Sequence, residues 1–221
     1  MVGSVAKSLA LSYLLPSGIL LHQMAVRQSE ELPPSFEVSG RVVLTGDEAR
    51  RSAAELGIEV LDSASLDVKL ALSPDKCALQ IQSPRPVTVV DDRGQVSGGN
   101  LPWATQLVRL ACLPFVFRGE QAGDRIEAAL KAAGSNFEES ALTFEEGAVS
   151  YVLGAGEAGT GPAGLVIKKR DLVPLRAWAQ EGNARLEVSF RGYRKAFHQG
   201  GFPTLIELRA NGILVARFTV S

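Results

Sequence analysis

ARLEVSFRGYRKAFHQGGFPTLIELRANGILVARFTVS, residues 184–221, decides how this chain folds. Leu186, Val188 and Phe190 alternate with Glu187, Ser189 and Arg191, and Ile206 and Leu208 alternate with Glu207 and Arg209. A period of two marks strands with one wet and one apolar face. Asn211-Gly212 then separates this run from Ile213–Val220. Asn-Gly between two such runs signals a hairpin, because a type I′ turn needs positive φ at both central positions. The stretch therefore predicts long antiparallel strands, and raises the question of what their apolar face covers.

The same pattern runs upstream. After Pro33-Pro34, residues Phe36, Val38, Val42 and Leu44 predict a long strand, with Gly40 as a bulge or bend. Arg50–Gly57 reads as a short helix or an irregular excursion. Leu66, Val68, Leu70 and Leu72 alternate with Asp67, Lys69 and Ala71, turn at Ser73-Pro74-Asp75 and return through Ala78–Gln82. Val87–Val90 follows, closed by Asp91-Asp92-Arg93-Gly94.

The middle of the chain is helical. Leu101-Pro102-Trp103 opens a run with Leu107, Leu110 and Ala111 at helical spacing, ending before Pro114. Asp124–Ala133 predicts a second helix, capped by Asp124 and stopped by Gly134. A second meander then runs through Leu142–Glu145, Val149–Leu153, Leu165–Lys169, Val173–Gln180, Ala184–Tyr193, Phe202–Arg209 and Ile213–Val220. Strands on both sides of one helix pair point to a single curved sheet. The expected class is α+β, mainly antiparallel β.

At its near end the chain carries an apolar run, Leu9–Leu15, too short to span a bilayer and interrupted by Pro16. Residues 1–30 read as an N-terminal segment in which Met1–Leu15 is a signal remnant or a leading helix and a short helix follows from Ser17 to about Arg27, with 31–221 as one domain. The 23 basic and 24 acidic residues nearly cancel and form no basic stripe, so nucleic acid is not an expected partner.

Motifs for chemistry are sparse. Gly154–Gly159 matches G-x-G-x-x-G, but Gly161, Pro162 and Gly164 forbid the helix that a dinucleotide fingerprint must open. His22 and His198 lack metal-ligand spacing, and no G-x-S-x-G elbow anchors a triad. No cofactor or metal is expected. Asp91-Asp92, Glu138-Glu139 and Glu145-Glu146 fall at turns or strand ends and read as solvated. Lys168-Lys169-Arg170 at a strand end reads as a solvated turn or as a contact for an acidic head group. Cys77 and Cys112 lack C-x-x-C spacing and form either one disulfide or two buried thiols.

The order of elements, with Val188-Ser189-Phe190…Tyr193 and Phe202-Pro203-Thr204-Leu205-Ile206-Glu207-Leu208 near its close, resembles the LolA/LolB-like superfamily of periplasmic lipoprotein carriers and receptors. The resemblance implies an unclosed half-barrel sheet, with the helices near 102–134 as a lid on its concave face over an apolar cavity. It also implies a non-enzymatic protein of the periplasm or cell envelope. Its expected partners are a lipid or an acylated protein, with a membrane-associated protein as a further partner. Alternation then assigns Phe144, Tyr151, Phe190, Ile206 and Phe218 to the cavity wall, with Leu107 and Leu110 from the helix. Two rival readings stand beside this one: a scaffolding β-protein that binds another protein by its sheet edge or groove, and an enzyme with a pocket on the concave face.

Overall fold

The computed structural model describes residues 15–59, 63–92, 95–98, 100–117, 121–137, 140–154, 160–197 and 200–221. The expectations for 1–14, the 155–159 part of the glycine motif, Glu138-Glu139, Arg93-Gly94 and His198 lie outside these residues.

Twelve strands form one open sheet. The first five are β1 (Phe36–Thr45), β2 (Ser63–Ser73), β3 (Lys76–Gln82), β4 (Val87–Asp92) and β5 (Gln95–Ser97). The second meander contributes β6 (Ser140–Glu145), β7 (Ala148–Leu153), β8 (Ala163–Lys168), β9 (Pro174–Glu181) and β10 (Ala184–Arg191). β11 (Arg194–Phe197) and β12 (Gly200–Phe202) make a separate two-stranded flap, and β13 (Leu205–Ala210) and β14 (Ile213–Val220) close the series. The order is β5-β4-β3-β2-β1-β14-β13-β10-β9-β8-β7-β6, and the pairings are antiparallel. The architecture is an α+β open half-barrel.

β14 sits at the centre of this sheet, where it joins the two meanders by pairing with β1. The Thr45 hydroxyl reinforces that seam by donating to the Leu214 carbonyl, 169 residues away in sequence. The predicted Asn211-Gly212 turn has φ of 49° and 81°, the positive pair that a type I′ hairpin requires.

Gly40 is neither a bulge nor a bend. Its register with β2 and β14 is continuous. A Cβ there would lie 2.5 Å from the Phe218 ring and 2.3 Å from the Thr219 carbonyl oxygen, so glycine makes room for the phenyl group. β10 stops at Arg191 rather than Tyr193. Gly192, with φ of 65°, turns the chain into the flap.

Four helices accompany the sheet among the described residues. α1 (Ser17–Glu31) extends one turn beyond Arg27 and buries Leu20, Leu21 and Met24. α2 (Gly46–Leu56) settles the excursion around Arg50 as helix, with Asp47 and Glu48 favourably placed in its first turn and Gly57 in the left-handed conformation at its end. α3 (Pro102–Val116) runs on past Pro114. Proline removes one late hydrogen bond, but continuing carries Phe115 and Val116 into the core. α4 (Ala122–Ala132) begins two residues before Asp124, which sits in its first turn rather than at its cap.

α3 is the centrepiece of the packing. It touches β2, β3, β4, β5, β9, β10 and β13 and is buried nearly all round, as expected for a helix enclosed on several sides. Two ties fix it. The Trp103 indole donates to Ser52 Oγ of α2 at 3.0 Å, and a disulfide joins Cys112 to Cys77 of β3. α1 and α4 form a second unit. They approach so closely that a Cβ on Gly123 would come 2.8 Å from the His22 backbone nitrogen.

Candidate functional site

Alternation along the strands places two chemistries on opposite faces of the sheet. The reverse face of β13 and β14 carries Glu207, buried beneath its neighbours. Arg217 Nε donates to its Oε1 at 2.8 Å, and Arg209 donates to its Oε2 at 3.2 Å. Burial alone would raise this carboxyl, but the two arginine hydrogen bonds outweigh it and hold the group below its usual value. On the same face Trp178 packs with Val152, Val166 and Leu175 and donates its indole N–H to the Gly161 carbonyl.

The helix-facing side is apolar. Leu107, Tyr151, Phe190, Ile206 and Phe218 all fall in one continuous core. They touch side chains rather than open space. Phe115 meets Phe190 edge-on at a centroid distance of 5.7 Å and Phe202 of the flap at 5.1 Å. Phe144 has a different place. Its parity puts it on the same face, paired with Val149, but on the outermost strand of the sheet it is 73% exposed. Of the seven residues assigned to the cavity, Leu110 lines an open one.

That cavity lies between α3 and α4 and has a volume of about 230 Å³. Leu110, Leu113, Val116 and Phe117 form one wall and Leu130 and Ala133 the other. Charged pairs flank it. Arg109 of α3 meets Glu181 at the end of β9 at 3.3 Å. Arg125 of α4 is hydrogen-bonded to Asp75 in the β2–β3 turn, and its guanidinium also lies 4.7 Å from the centre of the Phe117 ring. The Arg125–Asp75 pair thus ties α4 to the edge of the sheet across the end of the groove.

Sequence reasoning had not singled out Leu113, Phe117, Asp75 or Arg125. Leu110, Leu113 and Phe117 do carry a signal, at i, i+3 and i+7 on one helical stripe. The Asp75–Arg125 pair spans 50 residues and leaves none.

An open antiparallel sheet with helices on one face has known counterparts. A LolA superfamily protein from Nitrosomonas europaea superposes with a TM-score of 0.52 over 94% of this chain and 92% of its own, at 13% identity. The fold is LolA-like. A domain from Vibrio parahaemolyticus described as an outer membrane lipoprotein-sorting protein gives 0.49 over 93% of this chain and 90% of its own, at 9% identity, a score too low to add weight. No protein-family model matches the sequence, and no curated protein matches it significantly.

Proposed function

We propose that this LolA-like chain is a non-enzymatic carrier of the cell envelope that shelters a lipid, or the acyl chain of a lipid-modified protein, between α3 and α4. The apolar groove of about 230 Å³ on the helix side of the sheet carries this reading. Each methylene withdrawn from water there contributes roughly 0.8 kcal/mol, without any polar specificity. The Cys77–Cys112 disulfide supports an oxidising compartment. Among the described residues no helix is long and apolar enough to cross a membrane.

The groove is smaller than the ~300–1,000 Å³ of typical ligand pockets, so on this reading it must open to admit an acyl chain. Opening has a preferred direction. α3 is held to the sheet by the disulfide and to α2 by Trp103, whereas α1 and α4 pack as a pair and are tied at this corner by Arg125–Asp75. Swinging that pair outward would lengthen the groove while leaving the α3 wall in place.

Native mass spectrometry of protein purified without detergent is expected to show co-purifying lipid. Fluorescent fatty acid uptake is expected to fall at least tenfold in Leu113→Arg, a half-buried position that tolerates the change better than Leu110. Arg125→Ala is expected to speed uptake and release. Equal uptake by the wild type and Leu113→Arg would refute the carrier reading.

A further inference from the structure

The corner of the sheet where β6 turns into β7 has a composition that the groove does not use. Leu142, Phe144 and Val149 are 45%, 73% and 46% exposed. The pairings Phe144↔Val149 and Leu142↔Tyr151 put all three on one face, continuous with the core side of the sheet. Three large apolar side chains exposed side by side on one hairpin make a contiguous patch of the kind that marks an interaction surface.

The charges around this corner are sorted. Glu145 pairs with Arg176 at 3.1 Å and Glu146 with Arg191 at 2.5 Å, both partners lying on strands away from the apolar face. Asp171 pairs with Lys168 at 2.6 Å, and that hydrogen bond holds its carboxyl below the ordinary range. The turn acids are thereby neutralised by partners. Three cations against the single acid Asp171 leave the Lys168–Asp171 segment with a surplus of two positive charges. The Lys169 ammonium lies 5.6 Å from the centre of the Tyr151 ring, on the apolar side, and its backbone N–H donates to the Val149 carbonyl. Arg170 is 90% exposed and only 3.9 Å from the already paired Asp171.

We infer that this corner, Phe144 with Leu142 and Val149 flanked by Lys169 and Arg170, docks the protein on an anionic phospholipid surface. The aromatic and aliphatic side chains enter the interfacial layer while the two cations meet lipid phosphates. The charge arrangement favours this occupant over a second copy of the chain, because two identical corners meeting face to face would oppose the same cations.

The test is co-sedimentation of the full chain with vesicles of phosphatidylcholine alone and of phosphatidylcholine mixed with phosphatidylglycerol. Binding is expected to the anionic vesicles and to weaken with added salt. Phe144→Ser is expected to lower it about tenfold, and Lys169→Ala and Arg170→Ala about fivefold each, with thermal unfolding unchanged. The groove variant Leu113→Arg is expected to keep vesicle binding while losing fatty acid uptake, which separates this surface from the carrier reading. Absence of binding to anionic vesicles overturns the inference. So does equal binding by wild type and Phe144→Ser, or a Phe144-dependent dimer in sedimentation velocity without vesicle binding.

Discussion

Phe190 and Phe144 stand on the same face of one sheet, each at an alternating position of an antiparallel strand. Phe190 is wholly buried against Phe115, and Phe144 is largely in water. The difference lies in what stands opposite. β10 runs beneath α3, which packs on seven strands, whereas β6 is the outermost strand at the far edge of the sheet. Parity along a strand therefore says which way a side chain points, and the neighbouring layer decides whether pointing there buries it.

The largest expected effect tests the covered end. Phe190→Ala should cost about 3–5 kcal/mol in urea unfolding, because the α3 ring it meets cannot collapse into the space. A loss below about 1 kcal/mol would mean that the core under α3 is looser than its geometry indicates. Cys112→Ala probes what keeps α3 in place. Removing a cross-link between residues 35 apart should cost about 3–4 kcal/mol on the chain-entropy view, read as a lowered denaturation midpoint.

The reverse face supplies a charge-based counterpart. Glu207→Gln should cost about 1–2 kcal/mol at neutral pH, discounted because its arginines are partly in water. Since its folded pKa is depressed, the cluster contributes fully above the ordinary glutamate value and loses that contribution as pH falls through the lower folded value. The Gln variant should therefore show a flatter fall of stability on acidification, measured by thermal melts across acidic pH. The smallest effect belongs to the bare end. Phe144→Ala should change stability by less than about 0.5 kcal/mol, and a larger loss would show that something covers it.

Much of the fold was legible because it is local. The Leu66–Leu72 alternation, the Asn211-Gly212 turn and the Gly134 stop each draw on neighbouring residues. α3 outran its expected end because Phe115 gains from tertiary contacts that a proline rule cannot weigh. Gly40 was misread for a similar reason: the ring that needs its space belongs to Phe218, far along the chain. The groove was half legible. Leu110 lay on a visible stripe, whereas Asp75 and Arg125 meet only once the fold exists.

The β1–β14 seam has a consequence for how the molecule comes into being. Each meander can assemble from neighbouring strands, but the two become one sheet only when residues 213–220 arrive beside residues 36–45. Closing so long a stretch of chain is slow. Until it happens β1 offers an unpaired edge to any passing strand. The interval between synthesis and that last pairing is when this protein is most exposed to aggregation, and when a chaperone that shields β1 would matter most.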